Sequence, residues 1–600
     1  ADGLSSNIVK FFTPELLEIS RHAFSDEQAC VEFLLTKTDI FSSRVEKIQA
    51  RAERYVKAIR ENKVDVGIES FLQQYRLGTN EGITIMCLAE ALLRIPDSKT
   101  ANELIYDKLR ARDWEQHLGK SKSLFVNAST WGMMLTGKIT EMGDIPADGI
   151  GGVLGKLISR LGEPVIREAL KKAMHIISIQ FVMGRNIEEA MEKAREFEDA
   201  GYLMSYDVLG EAARTGGQAQ KYYQSYLNTT QKVGESLKSS SSLMERPSIS
   251  VKLSALHTKY ELLQYDRVFE ELLPRIKTIV KKAMDNKLCV SIDAEEAFRL
   301  DLSLLIYREL INDPEFKDYD GIGFVLQAYQ KRAYYVIEYL TELARKNGKK
   351  IPIRLVKGAY WDSEIKRSQE QGLASYPVFT RKSHTDVSYL ACAATILQND
   401  CFYPQFATHN ALTVSSILEV AGKSKFEFQR LHGMGETFYE QLKDKVPCRI
   451  YAPVGEHEEL LPYLIRRLLE NGANNSFINL LLDKEQTVNQ ILMDPITKAI
   501  RNEGLSNPSI PNPIEIFPNR RGSKGLELGN ISEISQIKIE LDKYRDNEWI
   551  SCPIISGRNI ETEKREVFCP FENTKVVGKV SFSTKDEVER AINKASAAFA

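Results

Sequence analysis

Short apolar runs alternate with amphipathic stretches through the middle of the chain. From about residue 176 the β-branched or aromatic runs are IISIQFVMG, YLMSYDV, SISVKLS, LCVSIDAE, IGFVLQA, IPIRLVKG, FYPQFATHN and FEFQRLHG. A helical pattern follows each run, such as NIEEAMEKAREFEDAG after the first and AYYVIEYLTELARKNG after the fifth. Eight buried strands that alternate with helices over roughly 300 residues are typical of a (β/α)8 barrel. We therefore predict an α/β protein whose barrel occupies residues 171–480.

The regions on either side of this barrel have different patterns. Residues 1–50 are helical in pattern but poor in core positions, which predicts an N-terminal arm laid on a larger body, and residues 51–170 have the apolar spacing of an α-helical domain. Residues 481–545 contain four prolines between positions 508 and 518, which predicts an extended linker. Residues 546–600 have the pattern of strands followed by a helix that stops in mid-pattern, so we expect the beginning of a further, truncated domain.

Polar residues collect where the predicted strands end. They are Lys252, Asp293, Gln327, Arg354, Lys357, Thr408, His409 and Asn410. Chemistry in this fold takes place at the carboxyl ends of the strands, so these side chains are predicted to face one mouth of the barrel. Each has a structural alternative, since a strand-end aspartate often caps a helix and a barrel lysine often pairs with a carboxylate. Their collection at one end of five strands favours a functional site.

The segment 446–479 predicts the helix that closes the ring of the barrel. Its apolar repeat is bounded by a proline and a glycine, as expected for a single helix. Tyr463, Arg466, Arg467 and Glu470 fall together on the opposite stripe of that helix. Two adjacent guanidinium groups beside a phenol are suited to holding a carboxylate or a phosphate. The alternative is an ordinary solvated face with an Arg466–Glu470 ion pair.

Composition and charge narrow the class of protein. Lys plus Arg number 80 and Asp plus Glu number 82, a net charge of −2, which argues against a chain-wide surface for nucleic acid. The eight cysteines are scattered without metal-ligand spacing, so we expect reduced thiols and no metal site. No apolar run reaches the ~20 residues of a membrane span and no signal peptide is evident, so we expect a soluble protein. The segment PADGIGGVLGKL lacks the GxGxxG spacing and predicts a flexible connection, with a phosphate loop as the weaker alternative.

Several motifs resemble those of a known family. SVKLSALHTKY, SIDAEEAFRL, GFVLQAYQKRA, IRLVKGAYWD, YPVFTRK, ATHNA, LHGMGE and YAPVGEHEELLPYLIRRLLENGAN resemble the proline dehydrogenase half of bacterial bifunctional proline utilisation proteins. The resemblance covers about residues 50–480, and the tail from about residue 546 resembles the start of the aldehyde dehydrogenase domain of those proteins. It implies oxidation of L-proline to Δ1-pyrroline-5-carboxylate with FAD as cofactor and a membrane quinone as electron acceptor. The second oxidation, which uses NAD, is expected only in a longer parent chain.

The same resemblance implies roles for individual residues. Those implied to be catalytic are Lys252, Asp293, Tyr451, Arg466 and Arg467. Those implied to hold or enclose proline are Lys252, Leu355, Tyr360, Tyr451, Tyr463, Arg466, Arg467 and Glu211, with Glu211 pairing with Arg466 and Asp293 with Tyr451. Those implied to contact the flavin are Asp293, Ala294, Gln327, Arg354, Val356, Lys357, Gly358, Ala359, Trp361, Thr380, Lys382, Thr408, His409, Asn410 and Glu470.

The chemistry of proline agrees with these residue types. Its carboxylate needs a cationic clamp, and its ring needs an aromatic slot that fixes the carbon to be oxidised. The resemblance also implies a cytoplasmic protein attached peripherally to the inner membrane, and we expect a homodimer formed through the N-terminal arm. The N-terminal segment ADGLSSNIVKFF shows no basic strand and helix, so no nucleic-acid partner is expected.

Two alternative functions have to be weighed. Lys252 could form a Schiff base with a carbonyl substrate, as in a class I aldolase, while Arg466 and Arg467 hold a phosphate. The chain could also be a non-catalytic binding or scaffold protein, in which the barrel and the arm serve assembly. The polar residues at one mouth of the barrel argue against a scaffold.

Overall fold

The computed structural model describes residues 12–61, 181–237, 242–456, 463, 466, 487–544 and 547–599. These residues form two compact units that divide between Ser532 and Glu533. The larger unit contains the barrel and the N-terminal helices, and the smaller one contains strands and a helix near the C-terminus. Apart from residues 51–61, the predicted α-helical domain lies outside the described residues.

Eight parallel strands close into a barrel, which confirms the predicted fold class. Each strand pairs with the next in the chain, and the last pairs with the first. The strands are β1 Leu203–Val208, β2 Ser248–Val251, β3 Cys289–Ile292, β4 Ile322–Gln327, β5 Ile351–Val356, β6 Phe402–Ala407, β7 Glu427–Leu431 and β8 Cys448–Val454. All but a few of their residues are buried, because helices cover the outside and side chains fill the inside.

The predicted number of strands is right, but the first and last strands are assigned wrongly. IISIQFVMG is predicted as the first strand, yet its described part contributes only a bridge between Gly184 and Val454. The eighth strand is instead CRIYAPV, a segment that the prediction assigns to the region before the closing helix. Because it contains the charged Arg449 and a proline, it lacks the continuous apolar run of the other strands. The second to eighth predicted strands are therefore β1 to β7 of the structure.

Helices surround the barrel and follow its strands. They are α1 Pro14–Arg21, α2 Glu27–Thr36, α3 Asp39–Ser42, α4 Val45–Glu61, α5 Ile187–Asp199, α6 Gly216–Glu235, α7 Tyr265–Arg267, α8 Leu273–Asp285, α9 Leu300–Asn312, α10 Ala333–Asn347, α11 Trp361–Gln371, α12 Lys382–Gln398, α13 Ala411–Val420 and α14 Glu436–Tyr439. The Asn186 side chain caps α5 by accepting a hydrogen bond from the Glu189 amide at 2.9 Å. Gly348, with φ of +61°, ends α10 in the left-handed conformation. None of the helices in the described ranges is long and apolar enough to cross a membrane.

The N-terminal helices lie on the barrel helices, as an arm should. One apolar cluster joins α2 to α10, α12 and the segment after the barrel; its buried members are Cys30, Val31, Leu34, Tyr334, Phe379, Val387, Ala391 and Ala499. The predicted boundary between arm and helical domain at residue 50 falls inside α4, which continues without a break from Val45 to Glu61.

Residues 487–532 are not the extended linker that the prolines predict. They form α15 Val488–Ile491, α16 Pro495–Arg501 and a 3-10 turn, Pro513–Glu515, and Ala499 is completely buried. These two helices precede the prolines at positions 508–518, and of those four prolines only Pro513 stands in a helical turn. The prediction fails because the proline-rich stretch, although it has little regular structure, is tied to the larger unit; for example, the Tyr376 hydroxyl donates to the Pro511 carbonyl at 2.6 Å. The segment therefore belongs to the folded body of the larger unit.

The C-terminal residues form strands followed by a helix, as predicted. The chain continues through α17 Ile531–Asp542 to β9 Trp549–Ser551, β10 Ile554–Ile555, β11 Arg558–Asn559, β12 Lys564–Cys569, β13 Glu572–Ser581 and α18 Lys585–Phe599. β13 pairs antiparallel with β12 and parallel with β9.

A buried ion pair lies at the amino end of the barrel interior. Arg449 on β8 approaches Glu427 on β7 with Nε–Oε1 at 2.6 Å and Nη2–Oε2 at 2.9 Å. Its guanidinium also donates to the main-chain carbonyls of Met204, Arg246 and Met244. Both side chains are almost completely buried, so each charge depends on the other for its solvation.

We expect Arg449→Met to lower the stability of the larger unit by about 3–5 kcal/mol, because it leaves Glu427 as an unpaired buried charge. The measurement is the shift in the midpoint of thermal or urea unfolding of the larger unit, recorded on the full chain. Arg185→Met is the control, since Arg185 forms a solvent-exposed ion pair with Glu189 and its removal should leave the transition unchanged. Equal effects of the two substitutions would contradict the prediction.

Candidate active site

Four polar side chains meet at the carboxyl end of the barrel. Lys252, one residue beyond β2, places Nζ 2.5 Å from Asp207 Oδ1, 3.1 Å from Asp293 Oδ2 and 3.4 Å from the Tyr451 hydroxyl. The Tyr451 hydroxyl donates to Asp293 Oδ2 at 2.8 Å, so the predicted pairing of these two residues is present. Lys252 and both carboxylates are buried, and Tyr451 is half-buried.

Arg354 on β5 lies across the barrel just below this group. Its Nη1 donates to Asp293 Oδ1 at 3.0 Å and its Nε to Gln429 Oε1 at 2.7 Å. Its Nη2 donates to Ser205 Oγ at 3.1 Å and Ser250 Oγ at 3.0 Å. One planar guanidinium thus links side chains from four other positions around the barrel.

These contacts continue to the floor of the barrel, because Gln429 Nε2 donates to Glu427 Oε1 at 2.7 Å. We call the resulting chain of hydrogen bonds and ion pairs the polar column; it consists of Arg449, Glu427, Gln429, Arg354, Asp293, Lys252 and Asp207. Its three cations and three anions balance.

The carboxylates keep Lys252 protonated. Burial alone would lower the pKa of its ammonium, but the charges of Asp207 and Asp293 and the Tyr451 phenol raise that pKa well above the ordinary value. A lysine that forms a Schiff base needs a lowered pKa and a neutral amine. The aldolase alternative is therefore disfavoured, and Lys252 is suited to holding an anion.

A second ion pair lies at the entrance of the site. Arg466 donates through Nη1 and Nη2 to the two carboxylate oxygens of Glu211 at 2.6 and 2.7 Å, so the pair expected from the sequence is present. The guanidinium lies 4.9 Å from the centroid of the Tyr360 ring. Burial alone would raise the pKa of the Glu211 carboxyl, but the positive charge of Arg466 and, to a smaller extent, that of Lys252 lower it. Glu211 is thus within electrostatic reach of both cations.

The predicted closing helix is described only at two positions. Tyr463 and Arg466 are helical and three residues apart, which puts them on one side of the helix as predicted. Tyr463 is buried, with 3% of its surface exposed. Arg467 and Glu470 lie outside the described residues, so their roles stay predictions.

Leu355 follows Arg354 on β5. Successive side chains of a strand point to opposite faces, and Arg354 points into the barrel. Leu355 is completely buried, and its carbonyl accepts from the Tyr389 hydroxyl of α12 at 3.1 Å. Strand alternation does not favour Leu355 as a wall of the proline ring, and that role stays a prediction.

The predicted flavin contacts on β4 and β5 surround the same mouth. Gln327 is buried, donates to the Glu295 carbonyl at 3.0 Å and accepts from Gln330 at 2.7 Å. Gly358 has φ of +132°, and a Cβ there would lie 2.5 Å from the Tyr329 ring, so only glycine fits. Four of the other predicted contacts are half-buried and lie just after β3 or at and after the end of β5: Ala294, Val356, Lys357 and Ala359. Of these, Lys357 is engaged by an ion pair with Asp386.

Thr380 joins three distant parts of the chain. Its amide donates to both carboxylate oxygens of Glu27 at 3.0 and 3.1 Å, and its hydroxyl to Glu27 at 2.9 Å. The Thr380 hydroxyl also accepts from the Asn507 amide at 2.8 Å, and His384 Nδ1 lies 2.6 Å from Glu27. Thr380, which is a predicted flavin contact, is thus held in place by Glu27 of the N-terminal arm.

The remaining predicted contacts begin helices or follow β6. Trp361 begins α11 and its Nε1 donates to the Phe379 carbonyl at 2.8 Å, while Lys382 begins α12 and is exposed. His409 Nε2 accepts from the Leu431 amide at 3.3 Å, and the adjoining Thr408 is buried. Asn410 caps α13 by accepting from the Leu412 and Thr413 amides. Asn410 therefore has the structural role that a strand-end residue often has.

The sequence reasoning missed several residues of the site. Asp207, Ser205, Ser250 and Gln429 all point into the barrel and contact Lys252 or Arg354. The available signal is the alternation of polar residues within strands that are otherwise apolar, as at positions 205 and 207 of β1. A buried aspartate in such a strand requires a cationic partner.

The chain matches two family models. Residues 190–480 match the model described as proline dehydrogenase, and residues 67–181 match the one described as the DNA-binding domain of proline dehydrogenase. The second range lies outside the described residues up to position 180. With that match, the expectation of no nucleic-acid partner stays a prediction.

Curated relatives and solved structures resemble nearly the whole chain. Bifunctional protein PutA from Klebsiella aerogenes and that from Escherichia coli K12 are each 43% identical over 592 residues, covering 95% of this chain and 45% of the relative. A crystal structure of a mutant proline utilization A from Bradyrhizobium japonicum matches with a TM-score of 0.68 and 42% identity, covering 89% of this chain and 53% of that one. The chain thus spans about half the length of the curated relatives that it matches.

We expect Lys252→Met to destabilise the larger unit in a pH-dependent manner. Burial already raises the pKa of Asp207, and Lys252 is the main group that opposes this rise. An acid whose pKa is raised in the folded state destabilises that state as the pH rises through the raised pKa. We therefore expect Lys252→Met to lower the free energy of unfolding by about 3–5 kcal/mol at pH 8 and by less at pH 5. Urea unfolding at both pH values measures it.

Lys281→Met is the control for that experiment, because Lys281 pairs with Asp285 on the exposed face of α8. It should leave unfolding unchanged at both pH values. A loss for Lys252→Met that is the same at pH 5 and pH 8 would contradict the electrostatic explanation.

Proposed function

The chain belongs to the proline dehydrogenase family, as the proline dehydrogenase portion of a bifunctional PutA protein, and from this premise we propose that it oxidises L-proline to Δ1-pyrroline-5-carboxylate with FAD as cofactor. It is an oxidoreductase. The reaction would take place at the carboxyl mouth of the barrel, between the Lys252 group and the Glu211–Arg466 pair.

One observation carries this proposal: two cations and two phenol rings lie at one mouth. Arg466 and Lys252 supply the charge, and Tyr360 and Tyr451, which lie beside them, supply the rings. Tyr463, buried three residues before Arg466, is proposed as a third ring. The carboxylate of proline requires charge-assisted donors, and its five-membered ring requires an apolar slot that fixes its orientation. Neither requirement alone is specific, but their combination suits a cyclic amino acid.

The residues present fit a flavin. Proline dehydrogenases are flavoenzymes, and the mouth offers hydrogen-bonding groups from Gln327, Arg354 and His409 beside the half-exposed main chain of 356–359. The left-handed Gly358 lets that main chain pass close to the Tyr329 ring. When bound, the flavin would accept a hydride from the proline ring, which is chemistry that protein side chains do not supply.

The side chains of this chain would then bind and orient the substrate. Lys252, held by Asp207 and Asp293, and Arg466, which Glu211 holds at two points, would share the carboxylate. The Tyr451 phenol is fixed by its hydrogen bond to Asp293, so its ring presents a defined wall. This preorganisation leaves the sharing or displacement of Glu211 as the main rearrangement when proline binds.

The electron acceptor, the cellular location and the second reaction are proposed on the basis of the PutA relatives. We propose that a membrane quinone takes the electrons, that the chain is cytoplasmic and attached peripherally to the inner membrane, and that NAD serves a second oxidation in a longer parent. A homodimer formed through the arm stays a prediction.

The first test of the function is a visible absorption spectrum of the purified full chain, reconstituted with FAD and recorded without oxygen before and after L-proline. We expect a flavin spectrum that bleaches with L-proline and not with D-proline, because the cation pair and the ring wall fix one orientation. A protein that does not take up FAD, or a flavin that L-proline does not reduce, would overturn the proposal.

Arg466→Met should raise the KM for proline by about 10- to 150-fold while flavin remains bound, because a charge-assisted contact is worth about 1.5–3 kcal/mol. Arg367→Met is a matched control: Arg367 also pairs with a glutamate, Glu527, and lies 4.3 Å from an aromatic ring, that of Phe298. It should leave KM unchanged. Loss of flavin from Arg466→Met would show that the helix has a different role.

A further inference from the structure

The loop that carries Glu211 has an unusual backbone. Gly210 has φ of +135° and Ala212, which is not a glycine, has φ of +47°. An alanine seldom adopts this conformation, so its surroundings must hold it there. The loop is anchored at its start by the Leu209 amide, which donates to the Val454 carbonyl at 2.8 Å.

Ser254 anchors the other end of the loop. The Ala212 amide donates to Ser254 Oγ at 2.8 Å, and the Ala213 amide donates to the Ser254 carbonyl at 2.9 Å. These are the two residues that follow Glu211, so Ser254 fixes the direction in which the Glu211 side chain leaves the loop.

A buried carboxylate in turn holds Ser254. The Ser254 amide donates to Glu295 Oε1 at 3.1 Å, and its hydroxyl donates to Glu295 Oε2. Glu295 and Ser254 are both buried. The main chain of Glu295 is itself fixed, since its carbonyl accepts from Gln327 at 3.0 Å.

We propose that Ser254 and Glu295 are positioning residues for the entrance of the site, acting through the loop to hold Glu211 against Arg466. The functional part of this inference rests on the proposed proline oxidation. Its structural part, that this pair holds the loop, stands independently and can be measured without substrate.

The ionised form of Glu295 is the one that holds Ser254. Two donors of one residue point at its two oxygens, and a protonated carboxyl would place its own hydrogen at one of them. Glu295 faces Arg299, whose Nη1 lies 3.7 Å away, as well as Glu296, Tyr260 and Tyr360. Burial raises the pKa of Glu295 to about 7, with Arg299 opposing and Glu296 adding to the rise. The hold on the loop should therefore weaken as the pH falls through about 7.

Hydrogen exchange of the full chain, without proline, tests the structural part. In Ser254→Ala at pH 8, the peptide that contains Ala212 and Ala213 should exchange at least tenfold faster than in the wild type. Ser416→Ala is the matched control, because its buried hydroxyl donates to the Leu412 carbonyl within α13, away from the loop. Unchanged exchange in Ser254→Ala would overturn the proposal.

The pH dependence tests the part played by Glu295. After correction for the intrinsic rate, wild-type exchange in this peptide should quicken between pH 8 and pH 6. Glu295→Gln, a neutral side chain of the same shape, should exchange faster than the wild type at pH 8 and show no such change. Wild-type exchange that does not vary with pH would overturn the role of Glu295 ionisation.

The functional part is tested by anaerobic flavin reduction at varied proline concentration. Ser254→Ala should raise the half-saturating concentration three- to tenfold and change the limiting rate less than twofold, because only the entrance is disturbed. In a Glu211→Gln background the same substitution should have no further effect. A full additional effect would show that Ser254 does not act through Glu211.

These measurements separate the two proposals. If wild-type flavin is not reduced by proline, the proposed function fails while hydrogen exchange still decides whether Ser254 and Glu295 hold the loop. If reduction is normal and exchange of the loop is unchanged in the variants, the function stands and this inference fails.

Discussion

The site depends on charge balance among side chains that are buried inside the barrel. The polar column brings three cations and three anions into the interior, and each is acceptable only because a neighbour compensates it. Arg354 is the central connection, since it contacts Asp293 on one side and Gln429 on the other. Because the column is continuous, the orientation of Lys252 at the mouth is fixed by partners that extend to the floor of the barrel.

This arrangement determines what kind of chemistry the mouth can support. Lys252 remains an ammonium, so it attracts anions and does not attack carbonyls. Arg466 is satisfied by Glu211 at two points, and a substrate carboxylate must share or displace that partner. Selection at the entrance therefore follows from competition between two carboxylates for one guanidinium, with the rest of the site already arranged.

The sequence alone predicts the barrel, seven of its eight strands and a cluster of polar residues at its mouth, because apolar runs and polar strand ends are local signals. It fails where the local signal misleads. β8 contains Arg449 and a proline and does not look like a strand. The polar positions of β1 are a local signal that Asp207 needs a cationic partner, but that partner, Lys252, lies far along the chain and has no local pattern. The linker prediction fails because chain without regular secondary structure can still be held on a folded body, as by the hydrogen bond from the Tyr376 hydroxyl to the Pro511 carbonyl.

The junction at Thr380 has a consequence for how the protein reaches its native state during synthesis. Glu27 is made before its partner Thr380, which comes 353 residues later, and the Asn507 amide that completes the junction comes later still. At ~5–20 residues per second, translation of the first interval takes roughly 20 to 70 seconds. Throughout that interval α2 has a carboxylate and an apolar face without their native partners. The segment around α2 thus leaves the ribosome well before the parts of the chain on which it docks, and it needs protection from premature contacts for that time.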